Sequence, residues 1–145
     1  MPTFLLNALL SFIATFGFAV LYNVPRKALF PCSAIGMGGY LLKTSLQEFG
    51  MTDAAAIFFG ALFLGIVGAI PAKRMQLPMV LFVITGIIPI VPGTAVYQTV
   101  VFFNQGDVLG GLQNAIDAAF GIGAIAAGVG AGRIITDPEW GFERN

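Results

Sequence analysis

Residues 77–103 read LPMVLFVITGIIPIVPGTAVYQTVVFF, an apolar run that two prolines and a glycine interrupt near its middle. As one continuous helix, these 27 residues would reach about 40 Å, well beyond a hydrocarbon core of about 30 Å. Each proline removes a backbone donor and crowds the preceding turn, and glycine contributes no side chain that would favour the helix. We therefore predict a helix that is broken at residues 89–93, with a half-helix on either side.

The predicted break has a consequence for function, because unpaired peptide groups cannot face lipid. They must be covered by protein or line a wet cavity, and many transporters build their binding sites from such broken helices. The half-helix that begins near Thr94 would offer its N-terminal amides to a carboxylate. The residues that we expect to bind a substrate at the break are Pro89, Pro92, Gly93, Thr94 and Tyr97.

The composition indicates a membrane protein and excludes several other classes. The chain is 57% hydrophobic and 10% charged, with a mean hydropathy of +0.89, which is typical of a polytopic membrane protein. Seven basic residues balance seven acidic ones without a basic cluster, so we expect no nucleic acid partner. The chain has no histidine and a single cysteine, Cys32, which excludes His/Cys metal sites, Ser-His or Cys-His catalysis and internal disulfides. We expect neither an enzyme nor a cofactor.

Four further apolar segments complete the prediction of an all-α bundle of about five transmembrane helices, forming one integral membrane domain over residues 1–145. The predicted helices cover residues 4–22, 33–48, 52–70, 77–103 and 108–133. The second of them is short for a span, because it would cover only about 25 Å of a hydrocarbon core of about 30 Å. The first lacks a preceding positive charge and a cleavage site, so we interpret it as a retained helix and not as a signal peptide.

Basic residues predict the orientation of the bundle. Arg26-Lys27 and Lys73-Arg74 form two basic turns, and such turns tend to lie in the cytoplasm. Both lie on that side only if residues 33–48 also cross the membrane. This places the N-terminus outside and residues 134–145 in a cytoplasmic tail.

Two ionisable residues inside the predicted spans are candidates for function. Lys43 either extends its ammonium group to the outer interface or supplies a cation for an anionic substrate. Asp117 lies ten residues after Asp107, about 15 Å along the helix and near mid-bilayer. A carboxylate at this depth is costly unless it faces a bundle interior or a water path, and desolvation favours its protonated form. We predict proton coupling at Asp117; the alternative is a neutral, hydrogen-bonded structural carboxyl group.

Small residues mark the surfaces along which helices are expected to pack. Gly60 and Gly68 lie in the third predicted helix, and Ala124, Gly128 and Gly132 recur at four-residue spacing in the last one. Such stripes allow two backbones to approach closely, in contact with another helix or another subunit.

Three features resemble the threonine/serine exporter family. Residues 22–25 with the basic residues after them and Leu29 resemble the family's basic turn after the first helix, and the glycine-bearing second segment is similar in position and spacing. Pro78, residues 87–93 (IIPIVPG) and Tyr97 look like its proline-proline-glycine break with a tyrosine four residues on. The resemblance is specifically to the small subunit of the two-component members, such as the bacterial succinate exporter.

The resemblance covers residues 22–103 and implies more than the residues show alone. It implies an exporter of small amino acids (threonine or serine) or of dicarboxylates (succinate), located in the bacterial cytoplasmic membrane and driven by an ion gradient. The substrate would be a small anion or zwitterion, and the partner a larger membrane subunit that resembles the other exporter half, or else a second copy of this chain. Two rival hypotheses remain at this point: a scaffold subunit that does not transport, and a passive channel.

Overall fold

The computed structural model of the chain describes residues 2–136, and every regular element in this part is helical. The elements are α1 (Pro2–Leu21), α2 (Arg26–Glu48), α3 (Asp53–Val67), α4 (Ala69–Met75), α5 (Met79–Ile87), a short 3-10 helix (Ile88–Ile90), α6 (Gly93–Asn104) and α7 (Val108–Thr136). This confirms the prediction of an all-α bundle that contains one broken helix.

Length and hydropathy identify three or four membrane spans among the described residues, compared with the five predicted. They are α1, the stretch from α3 to α4, and α7, with the bent pair of α5 and α6 as a fourth. The remaining helix, α2, falls below the hydropathy expected of a span, because Lys43, Pro31 and several small residues dilute its apolar content. It lies at the centre of the bundle and contacts α1, α3 and α5, so protein surrounds much of its surface in place of lipid.

Three predicted helix boundaries differ from those observed by three residues or more. First, α2 begins at Arg26 and not at residue 33, and its 23 residues reach about 35 Å, enough to cross a membrane. Pro25 precedes its first turn, and Pro31 is accommodated inside the helix, where proline removes one hydrogen bond. Second, the predicted helix over 52–70 continues to Met75 and is divided at Gly68. Third, α7 continues to Thr136, so the predicted tail loses its first three residues to the helix, and the remainder lies outside the described part of the chain.

The most extensive helix contact joins α3 and α7, and glycines make it possible. A methyl group added at Gly128 would lie 2.5 Å from the backbone oxygen of Phe58, and one added at Gly132 would lie 2.8 Å from the Cα atom of Gly65. Ala124, one turn before Gly128, packs against the buried core. The small-residue stripe of α7 therefore faces another helix of the same chain.

The two glycines predicted in the third helix lie at different contacts. Gly60 of α3 faces α2, where an added methyl group would lie 3.0 Å from the backbone oxygen of Gly39. Gly68, at the junction of α3 and α4, lies beside Phe82 of α5. The contact between Gly60 and Gly39 brings α2 and α3 close together.

We expect Gly128→Ala and Gly132→Ala to destabilise the fold by about 1–3 kcal/mol each, because neighbouring backbone atoms must move to admit the new methyl group. Gly130→Ala is the matched control in the same helix, since nothing lies within 4 Å of its added methyl group. It should leave stability unchanged or raise it by up to about 1 kcal/mol, because alanine is favoured over glycine inside a helix. The midpoint of thermal unfolding in detergent measures both effects, and equal losses at all three positions would contradict the close approach of α3 and α7.

Candidate substrate site at the broken helix

The predicted interruption is present where the prolines lie. α5 ends at Ile87, Ile88–Ile90 form a single 3-10 turn, and α6 begins at Gly93 with its axis bent by 50°. Pro92 has φ −74° and ψ 58°, the conformation of an inverse γ-turn, and the amide of Gly93 donates to the backbone oxygen of Val91 at 2.7 Å. The chain therefore changes direction within three residues and then resumes a helix.

The break leaves peptide groups without their usual helical partners. Because Pro89 and Pro92 carry no N–H, the carbonyl groups of Thr85 and Ile88 lose the donors that a continuous helix would supply. No side chain caps the first turn of α6. At membrane depth such groups require a polar partner, and lipid cannot provide one.

A cavity of about 640 Å³ lies against the break. Its walls come from the second half of α2, the start of α3, the break with the first turns of α6, and the middle of α7. The lining residues are Tyr40, Lys43, Gln47, Thr52, Asp53, Ala54, Pro89, Val91, Pro92, Gly93, Thr94, Ala95, Gln98, Asp117 and Phe120. The volume is in the range of about 300–1,000 Å³ that is usual for small-molecule sites.

The cavity brings together most of the residues that the sequence singled out. Pro89, Pro92, Gly93, Thr94, Lys43 and Asp117 all line it. Tyr97 does not: it lies one residue before Gln98, about 100° around the axis of α6, and its side chain is 70% exposed.

Asp53 and Gln47 were not predicted as site residues, yet they form the polar cluster of the cavity together with Lys43. The ammonium nitrogen of Lys43 lies 3.7 Å from the Asp53 Oδ1 atom, and the Gln47 side-chain amide donates a hydrogen bond to the same oxygen. The sequence carries a signal for this cluster. Lys43 and Gln47 are one helical turn apart, and Asp53 follows in the first turn of the next helix.

The Lys43–Asp53 ion pair contributes little to the stability of the fold. The side chain of Lys43 is 13% exposed and that of Asp53 is 54% exposed, and pairs that reach solvent are worth about 1 kcal/mol or less. Asp53 is also favoured by its place in the first turn of α3, where the helix dipole stabilises a negative charge.

Several other polar groups of the cavity have no partner among residues 2–136. The side chains of Tyr40, Thr94, Gln98 and Asp117 form no hydrogen bond or ion pair within that part of the chain. Tyr40 is half-buried and the other three are exposed, so their polar atoms are accessible to a ligand in the cavity.

One side of the cavity is open. Thr94, Gln98, Asp117 and Phe120 are exposed, and α6 has no buried residue and packs mainly against α7. The described chain therefore does not enclose Asp117 as the sequence led us to expect. At the depth that we predict for Asp117, a carboxylate in contact with lipid is costly, so we expect water or protein to cover the open side.

Within residues 2–136, no three histidine, cysteine or carboxylate side chains lie close enough to hold a metal ion.

Comparisons with known proteins give one family and a distant relative. The model of a family described as "Threonine/Serine exporter, ThrE" matches residues 7–135. A protein of Haemophilus influenzae, described as uncharacterized, is 29% identical over 133 residues, which covers 86% of this chain but 45% of that relative. The chain thus spans less than half the length of the relative. No solved structure matches the chain.

Proposed function

The chain belongs to the threonine/serine exporter family, and from this premise we propose that it is a subunit of a secondary transporter that exports a small amino acid or a dicarboxylate. The observation that carries the proposal is the cavity at the break, which is lined by the uncapped start of α6, one lysine and two aspartates. Threonine or serine is the first substrate to test, and succinate is the second.

The chemistry of the cavity suits a small molecule with a carboxylate. The uncapped amides at the start of α6 and the ammonium group of Lys43 are both donors for an anionic group. Thr94 and Gln98 lie along the same face of α6 and supply neutral hydrogen bonds. In the proposed mechanism Asp117, on the wall formed by α7, takes up and releases a proton as the substrate crosses.

A larger membrane subunit is the proposed partner. The relative from Haemophilus influenzae is more than twice as long as the region it shares with this chain, and the open side of the cavity needs a cover. A subunit that resembles the rest of that relative would cover the open side of the cavity. A second copy of this chain is the alternative. Asp117 and Gln98 would then lie at the interface.

The distribution of charge supports the proposed orientation in the bacterial cytoplasmic membrane. Contacts of Lys27 with the Met75 carbonyl and of Lys73 with the Thr136 carbonyl bring the start of α2 and the ends of α4 and α7 to one end of the bundle. That end carries every basic residue between 2 and 136 except Lys43: Arg26, Lys27, Lys73, Arg74 and Arg133. By the positive-inside rule it faces the cytoplasm, which puts the N-terminus outside and the end of α7 inside.

Export from loaded cells tests the proposal. The gene for this chain is deleted and restored in its native host, and labelled L-threonine or succinate is followed as it leaves the cells. We expect outward transport against a concentration gradient that requires this chain and stops when a protonophore collapses the proton gradient.

Each rival predicts a different result in the same experiment. Full export in the deletion strain would make the chain a scaffold that does not transport. Equilibration without accumulation would indicate a channel, which a broken helix with a polar midplane also suits.

A further inference from the structure

We propose that Lys43 and Asp53 form an ion pair that the substrate opens. In this inference, which rests on the proposed function, the substrate's carboxylate replaces Asp53 at Lys43, and the released Asp53 receives the substrate's ammonium group. Gln47 holds Asp53 in place during the exchange. The three residues form the head-group subsite of the cavity.

The geometry places both charges where a ligand can reach them. Lys43 projects from α2 and Asp53 from the first turn of α3, and both line the 640 Å³ cavity beside Thr94 and Pro92. The stem of Lys43 packs beside α3, since a methyl group added at Gly60 would lie 3.5 Å from the Lys43 Cβ atom, and the Lys43 side chain is only 13% exposed. The ammonium group is thus held at the cavity wall by a packed stem.

The ion pair is loose enough to exchange. Its nitrogen–oxygen distance of 3.7 Å is longer than a direct hydrogen bond of about 2.7–3.2 Å, so neither charge is fully satisfied by the other. Asp53 has two further sources of stabilisation, the amide of Gln47 and the N-terminal end of α3. It therefore remains in position when Lys43 turns to another carboxylate.

The arrangement favours a zwitterion over a dicarboxylate. An α-amino acid carries a carboxylate and an ammonium group close together. Its carboxylate would face Lys43, and its ammonium group would face Asp53. A dicarboxylate satisfies Lys43 equally well, but any second carboxylate near Asp53 is repelled. Asp53 is therefore the residue that we expect to set this selectivity.

Variants that change these charges distinguish a substrate subsite from an ion pair that only stabilises the fold. In export assays on loaded cells that carry the whole transporter, Lys43→Gln should reduce export of both L-threonine and succinate about tenfold or more, through loss of a charge-assisted hydrogen bond. Asp53→Asn should reduce threonine export by a similar factor and leave succinate export unchanged or raised. The charge-swapped double variant, Lys43→Glu with Asp53→Lys, should be present in the membrane at the wild-type amount, because the pair contributes little to stability, and should still fail to export threonine.

The matched control is Glu48→Gln, which removes an exposed carboxylate next to Gln47 that does not line the cavity. Its export of both compounds should equal that of the wild-type chain. The inference is overturned if the swapped variant exports threonine at the wild-type rate, or if Asp53→Asn lowers threonine and succinate export equally. Failure of the proposed function looks different, because the wild-type chain itself would then export neither compound.

Discussion

Asp117→Asn should abolish gradient-driven export, down to the level of cells that lack the chain, while the protein remains in the membrane. Asparagine has nearly the shape of aspartate but cannot take up and release a proton. Asp117 lines the cavity and has no hydrogen-bond partner among residues 2–136, so the substitution breaks no described contact that holds the fold. The loss is therefore expected in transport and not in folding.

Right-side-out vesicles that are loaded with labelled substrate measure this effect. A pH gradient should drive export by the wild-type chain and not by the Asp117→Asn chain. Exchange of labelled for unlabelled substrate at equal concentrations should persist, because exchange requires binding but no net proton movement.

Asp107→Asn is the control for the charge change. Asp107 precedes α7 on the same chain segment, and its Oδ1 atom accepts a hydrogen bond from the Gly110 amide at 3.0 Å. Asparagine serves equally well at such a capping position, and Asp107 does not line the cavity. If gradient-driven export is unchanged in the Asp117→Asn chain, Asp117 has no part in the mechanism.

Replacing both Pro89 and Pro92 with alanine should straighten the broken helix and abolish export. We expect this to be the second largest effect on transport. Alanine restores both backbone donors and is favoured over proline inside a helix by about 3 kcal/mol at each position. The residues from Met79 to Asn104 would then form one rod of about 39 Å, and the 50° bend that opens the cavity would disappear.

Spin labels on Val80 and Phe103 report the shape directly, since both side chains are about half exposed and lie near opposite ends of the broken helix. Their separation should increase in the double variant, and export should fall to the background level. Pro71→Ala is the control, because Pro71 lies in α4 away from the cavity. A double variant that keeps the wild-type label distance would show that the contacts around α5 and α6, and not the prolines, impose the bend.

The broken helix was predictable because its cause is local. Pro89 and Pro92 lack an N–H wherever the chain places them, so the interruption follows from covalent structure alone. We also expected Gly93 to help interrupt the helix, but the structure shows it in the first turn of α6 with open space at its Cβ position. The prolines therefore account for the break without it.

The start of α2 could not be predicted from local rules. Glycines and Lys43 made residues 33–48 resemble a short segment. In the bundle, α2 is surrounded by α1, α3 and α5, and these contacts stabilise a helix that begins at Arg26 despite the proline. Tertiary packing outweighs intrinsic propensity at such a position.

The composition of the cavity depends on contacts between distant segments. Asp53 and Gln47 were missed because helical spacing places only Gln47 beside Lys43. Asp53 joins them where the end of α2 packs against the start of α3. Tyr97 was expected at the site from its position in the motif, and the rotation of α6 turns it to an exposed surface.

Hydropathy, proline chemistry and small-residue spacing were thus enough to predict an all-α membrane bundle, its broken helix and the close packing of α7, because each of these properties is carried by neighbouring residues. Only the tertiary structure shows that Lys43 pairs with Asp53, that Tyr97 does not line the cavity, and that Asp117 lies on the open side of the cavity. These relations join α2, α3, α6 and α7, and they exist only once the helices have packed.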